Sequence, residues 1–292
     1  MGSSASKAAP AGPDLITAAK NGDLKICQEL VDNGADLDLK DWDHLRPLHW
    51  AGFKGHVDVV SFLIEKGADK DARNKDGRAP LHRATNAGRT EAVRVLLEAG
   101  ADKEAENKDG WRPLHRGCNN GSLEAIKLLL EYGAEFEAET KFKSRAIHFA
   151  AEKGHVDVIQ ALVDFGAEVD PKDQWGQTPL HRACKYCQLA TARLLIQLGA
   201  DPGALDAEDK KPYDRIGENA QNSATRKPVR LKATTARRES PRAQFSTQFS
   251  KQRFQPGVGA RWLGLRQRQR GCAGESLTKC AHACTTPSFA FA

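Results

Sequence analysis

The sequence predicts an all-α solenoid of stacked two-helix units with projecting turns, followed by a tail too polar to build a core. Three observations carry this. First, His49, His82, His115, His148 and His181 stand 33 residues apart, and a fixed period of that length marks a chain made by stacking one small unit. Second, other positions keep the same phase: Leu48, Leu81, Leu114, Ile147 and Leu180; Ala51, Ala84, Gly117, Ala150 and Ala183; Gly67, Gly100, Gly133, Gly166 and Gly199. Third, the apolar residues inside one period have helical spacing. Ala92, Val93, Leu96 and Leu97 form one stripe that a lone unit cannot bury and a neighbour can.

Taken in chain order, residues 1–13 are Gly, Ser, Ala and Pro with Lys7 as their one charge, a composition that reads as a flexible leader. Residues 14–40 form a divergent first unit, an N-terminal cap, with Ala18, Gly22, Leu30 and Gly34 each one period before Ala51, Gly55, Leu63 and Gly67. Full units are expected at 41–73, 74–106, 107–139, 140–172 and 173–205. A partial unit at 206–218, marked by Pro212 in phase, closes the stack. Within a unit, an inner helix starts at a proline such as Pro80, where a missing N–H costs nothing, and stops at a glycine such as Gly88. The outer helix carries the stripe, and Leu30, Leu63, Leu96, Leu129, Leu162 and Leu195 are expected as one core ladder. Residues 219–292 are expected to be disordered.

The segments Arg46-Pro47-Leu48-His49-Trp50-Ala51, Ala79-Pro80-Leu81-His82-Arg83-Ala84 and Thr178-Pro179-Leu180-His181-Arg182-Ala183 resemble the Thr-Pro-Leu-His-x-Ala core of the ankyrin repeat family. The resemblance implies antiparallel helix pairs with projecting turns and a protein-binding face. The sequence departs from the family at the capping Thr, kept only at Thr178 and replaced by Arg46, Ala79, Arg112 and Arg145, each loss expected to cost about 0.5–2 kcal/mol. Ala146 replaces the helix-starting Pro in the fourth unit. Cys187 stands where Gly55, Gly88, Gly121 and Gly154 do, and strain is expected there if the backbone is left-handed.

Composition bounds the function. With 292 residues, 40% hydrophobic and 28% charged, the chain suits a water-soluble fold with a core. Apolar runs such as Leu128-Leu129-Leu130 fall far short of the ~20 residues a membrane span needs. The chain is expected on the cytosolic side, and seven scattered cysteines are expected mostly as free thiols. The net charge of +6 hides an asymmetry: residues 219–292 hold 14 Lys and Arg against 2 Asp and Glu, and residues 1–218 hold 30 against 36. The body is thus −6 and the tail +12.

No motif calls for catalysis. Phosphate-loop, G-x-S-x-G and H-E-x-x-H patterns are missing from the sequence, and no cofactor or metal is implied. The periodic histidines fall on helices whose axes lie about 8–10 Å apart, too far for one zinc ion with ligands near 2 Å. A half-buried imidazole bonding the neighbouring turn is the reading preferred. Cys184 and Cys187 have a C-x-x-C spacing, with Cys184 read as a packing thiol. Cys272, Cys280, His282 and Cys284 match no common zinc spacing.

A solenoid binds through its concave face and turns. The position after each periodic histidine reads Trp50, Arg83, Arg116, Phe149 and Arg182, which the resemblance implies to be solvent-facing and available to partners. The turns add Trp42, Trp111, Phe142 and Trp175. Aromatic residues and Arg dominate protein interfaces, so these nine are the expected partner-binding residues of a monomeric, non-catalytic adaptor whose partner is a protein. A second row, Asp38, Asp71, Glu104, Glu137 and Asp170, reads either as a solvated acidic edge or as a site for a basic segment.

The ends carry separate signals. Met1-Gly2-Ser3-Ser4-Ala5-Ser6 fits the N-myristoylation pattern with Gly2 as the acylated amine, and one myristoyl chain needs a second attachment. The basic tail, interleaved with Phe245, Phe249, Phe254 and Trp262, suits an anionic membrane surface. The same mixture suits single-stranded nucleic acid, or the acidic edge of the body itself as an autoinhibitory contact. Ser240, following Arg237-Arg238-Glu239, is a candidate phosphorylation site.

Overall fold

The structure, a computed structural model, describes residues 14–216 and Glu218. Gly2, Ser240, the tail and the leader lie outside the described residues, and so do the acylation, phosphorylation and tail expectations. Among the described residues the chain forms 12 α-helices and no strand, paired along the sequence. The pairs are α1 (Leu15–Asn21) with α2 (Leu24–Asp32), α3 (Pro47–Lys54) with α4 (Val57–Glu65), and α5 (Pro80–Asn86) with α6 (Thr90–Glu98). They continue with α7 (Pro113–Asn120) and α8 (Leu123–Glu131), α9 (Ala146–Lys153) and α10 (Val156–Asp164), and α11 (Pro179–Lys185) and α12 (Leu189–Gln197). A 3-10 turn at Pro212–Arg215 ends the series.

The odd-numbered helices stack on one another to make the inner row, and the even-numbered helices make the outer row. Successive inner helices pack more closely than successive outer ones, so the stack curves with the inner row on its concave side. Leu63, Leu96, Leu129, Leu162 and Leu195 are fully buried and run as one seam. Leu30 is only half-buried, because the described stack ends at its helix. Truncating one of the buried leucines to Ala would cost about 2–5 kcal/mol.

Five histidines hold the units together, and they are fully buried rather than half-buried. Each imidazole Nδ1 accepts the backbone N–H three residues earlier: Arg46 at 3.2 Å, Ala79 at 3.1 Å, Arg112 at 2.9 Å, Arg145 at 3.1 Å and Thr178 at 3.2 Å. That leaves the proton on Nε2, which donates to a carbonyl of the next turn. The acceptors are Arg78, Trp111, Ala138, Gln177 and Lys210 at 2.9–3.1 Å. Burial pushes the imidazoles down, His49 and His115 to about 4 and His82 to about 3. Burial and then Arg182 bring His148 to about 4, and burial also lowers His181.

The histidine bond also changes the meaning of the missing capping threonines. Only Thr178 has a capping hydroxyl, which lies 2.9 Å from His181 Nδ1. In the other units Arg46, Ala79, Arg112 and Arg145 make no side-chain cap, yet the histidine still satisfies the backbone of the capping residue.

The arginines at these caps serve the acidic row instead. Arg46 pairs with Asp38 at 2.7 Å, Arg112 with Glu104 at 2.7 Å, and Arg145 with Glu137. The other carboxylate oxygen reaches forward one unit. Asp71, Glu104, Glu137 and Asp170 accept the backbone N–H of Asp102, Glu135, Glu168 and Asp201 at 2.7–2.9 Å. Four members of the row that reads as a free acidic edge are thus inter-unit stitches; Glu104 and Glu137 use both oxygens, while the second oxygen of Asp170 is buried without a hydrogen-bond partner.

The fifth unit contains the strain expected of it. Cys187 has φ of +56°, a left-handed conformation in which a side chain crowds its own backbone. The equivalent Gly55 and Gly154 reach +83° and +82° without that penalty.

Candidate functional site

The structure sorts the nine sequence-expected residues into distinct settings. At the tips, Trp42 is 79% exposed, Trp175 47% and Phe142 46%. Phe142 and Trp175 stack with ring centres 5.9 Å apart and planes 19° off parallel, so two successive turns present one aromatic surface. Lys75 lies over Trp42 at 5.6 Å.

Trp50 is half-buried. Its indole Nε1 donates to Asp41 at 3.0 Å, and its ring meets Phe53 edge-on at 6.3 Å. Phe149 departs from expectation: it is buried, not solvent-facing. Its ring sits 4.1 Å from that of Trp111 and 5.8 Å from His115, filling the gap between two units. Trp111 is correspondingly only partly exposed.

The three arginines of the row, which the sequence presents as equivalent, are not. Arg182 is largely buried and fully engaged, with Asp173 at 2.7 Å, Glu152 at 2.9 Å and the Ser144 hydroxyl at 3.1 Å. Arg83 and Arg116 make no ion pair or side-chain hydrogen bond among the described residues, and the Nε of each is buried without a partner. What holds them is aromatic: Arg83 lies 4.5 Å from the Phe53 ring and 5.3 Å from Trp50, and Arg116 lies 4.4 Å from Trp111. Burial and then the nearby Arg78 draw both guanidinium pKa values down, Arg116 to about 10.

The difference traces to a residue nine positions earlier that shapes each turn. One side-chain oxygen there accepts two backbone N–H groups. Asn74 accepts from Asp76 and Arg78 at 3.0 and 2.8 Å, and Asn107 from Asp109 and Trp111 at 2.9 and 2.8 Å. Asp173 accepts from Trp175 and Gln177 at 2.9 Å each, and Asp206 from Glu208 and Lys210 at 2.8 and 3.1 Å. In the aspartates the second oxygen turns to the arginine nine residues on: Asp173 to Arg182, and Asp206 to Arg215 at 2.7 Å. In the asparagines the second atom is an amide nitrogen, a donor with nothing to offer a guanidinium. It cannot flip, because the oxygen is committed to the turn.

Arg215 therefore joins the row as a residue that sequence reasoning passed over. Burial opposes its charge, but Asp206, Glu218 and Glu208 outweigh that and raise its pKa. Beside it, Trp175, Gln177, Arg182, Lys185 and Tyr186 line a cleft of about 380 Å³. The sequence did hold the signal that separates the two kinds of arginine: Asp173 and Asp206 against Asn74 and Asn107, in phase.

Among the described residues, no group of three or more His, Cys, Asp or Glu side chains is placed to hold a metal ion, and no helix is long and apolar enough to cross a membrane. Cys184 is buried and Cys187 exposed.

Comparison with known proteins agrees with this architecture. No curated protein matches the chain significantly. The crystal structure of the human ASB11 ankyrin repeat domain is similar, at 28% identity and a TM-score of 0.65, covering 71% of this chain and 93% of that one. A family model described as ankyrin repeats matches three times, at residues 15–74, 70–140 and 114–206, and ankyrin repeats are generally protein–protein interaction modules. With helix pairs, histidine bridges and family match in agreement, the chain belongs to the ankyrin repeat family.

Proposed function

We propose that this chain is a non-catalytic adaptor that binds a protein partner across its inner-helix row and turn tips. The observation that carries the reading is the stacked, half-exposed pair of Phe142 and Trp175 on adjacent tips. Large aromatic groups there fill no core, and paired rigid aromatics are the side chains that anchor protein interfaces. A soluble fold gains nothing from exposing them, whereas a partner covering them would remove apolar area worth about 25 cal/mol per Å².

Affinity capture with the full chain tests this. Phe142→Ala with Trp175→Ala is expected to lose the captured protein partner while shifting thermal unfolding little, since both residues are exposed. Equal capture by the double variant would remove this face from consideration. Tethering through Gly2, together with the basic tail, belongs to the same proposal as a location for the adaptor on a cytosolic membrane surface. Metabolic labelling with a myristate analogue checks it, with Gly2→Ala expected to lose both label and membrane fractionation.

A further inference from the structure

Arg83 and Arg116 are costly to keep as they stand. A guanidinium half removed from water loses hydration, and proteins ordinarily return that loss through a carboxylate. The inner-row arginines of the fifth and sixth units, Arg182 and Arg215, have theirs in Asp173 and Asp206. Asn74 and Asn107 keep the turn and withhold the counter-charge. Acids do lie near: Asp41, Asp43 and Asp76 act on Arg83, and Asp76 and Asp109 on Arg116. None of them forms an ion pair with either arginine. Asp41 is occupied by Trp50 and two backbone N–H groups, and Asp76 by Arg78 at 3.4 Å.

The aromatic contacts complete the arrangement. Lying over Phe53, Trp50 and Trp111, each guanidinium is held in place before any ligand arrives, which lowers the entropy lost when its donors are used. The two sit on adjacent inner helices, about 8–10 Å apart by ordinary helix packing.

We propose that Arg83 and Arg116 form a two-point carboxylate receptor, which takes an acidic segment of a protein partner bearing two carboxylates roughly one helix spacing apart. The proposal rests on the adaptor reading and specifies the chemistry of what it binds. Charge selects a peptide over a nucleic acid. The body carries −6 overall, and Asp43, Asp76 and Asp109 on the tips beside the arginines would repel a continuous polyanion. Single carboxylates on an otherwise neutral or apolar segment pass between those tips and reach the fixed guanidinium edges.

Arginine footprinting of the full chain with phenylglyoxal, resolved by peptide mass spectrometry, tests the receptor with Arg182 as control inside the same molecule. The acetylated, amidated tetrapeptide Glu-Gly-Gly-Glu, with two carboxylates on an otherwise neutral segment, is expected to slow modification of Arg83 and Arg116 by about tenfold at saturation, the scale of a charge-assisted bond, and to leave Arg182 unchanged. Asn74→Asp with Asn107→Asp keeps both turns, adds the internal counter-ions and is expected to abolish that protection in a folded chain. Protection that survives in this variant, or that falls only on arginines of residues 219–292, would overturn the receptor. So would better protection by a single-stranded oligonucleotide than by the diglutamate peptide. If the receptor fails while Phe142 and Trp175 still govern partner capture, the adaptor reading stands without it.

Discussion

The second and third units and the fifth and sixth are built to one plan, yet they treat the same arginine in opposite ways. Arg182 and Arg215 are closed in ion pairs, and Arg83 and Arg116 lie against aromatic rings. A single oxygen makes the difference, since Asn and Asp shape the turn identically and differ only in the atom left over. In a repeat protein, then, the residue that sets local backbone geometry can also decide whether a surface is internal scaffold or available to a partner.

What both regions share sets the largest expected effect. Five buried imidazoles have folded pKa values below their unfolded value of 6.5, so the unfolded chain binds more protons. Protonation would also place a second N–H against the capping backbone N–H. Stability is therefore complete above about pH 6.5 and falls as pH drops toward 4, by up to about 1.4 kcal/mol per pH unit for each histidine. Urea unfolding at pH 7 and pH 5 should differ by several kcal/mol, and equal midpoints would mean the histidine ladder is not neutral.

The comparison itself is sharpened by exchanging the turn residues. Asp206→Asn leaves Arg215 buried without its main partner and is expected to cost about 3 kcal/mol, read from the urea midpoint. The reverse change, Asn107→Asp, is expected to stabilise by about 1 kcal/mol through a new charge-assisted bond. If Asn107→Asp destabilised, the claim that Arg116 lacks a counter-ion would fail.

Two smaller effects concern the fifth and the first unit. Cys187→Gly relieves a left-handed side chain and should raise stability by about 1 kcal/mol, measurable as a rise in Tm. Trp42→Ala should change stability by less than about 0.5 kcal/mol, because its ring is 79% exposed; a larger loss would place Trp42 in the fold rather than on its surface.

Much of the architecture was readable in the chain. The period located the inner helices, the leucine seam and the Cys187 strain, because a core ladder and a left-handed stop each demand a residue type at a fixed position. The surroundings of the nine expected partner residues were readable only in part. Trp42, Phe142 and Trp175 are exposed as their turns suggested, whereas Phe149 turned inward because Trp111 and His115 from the preceding unit offered it an aromatic slot. The bonding of the acidic row was hidden for a related reason: composition shows charge, but not that a backbone N–H 31 residues away engages one of its oxygens.

By itself the sequence determined the repeating unit and its stacking, since periodic apolar, glycine and histidine positions leave only neighbouring copies to bury and bond them. The tertiary structure decided which charges are spent and which are open. An arginine's partners come from its own turn and from the adjoining unit at once, and only packed coordinates bring those groups within reach of it.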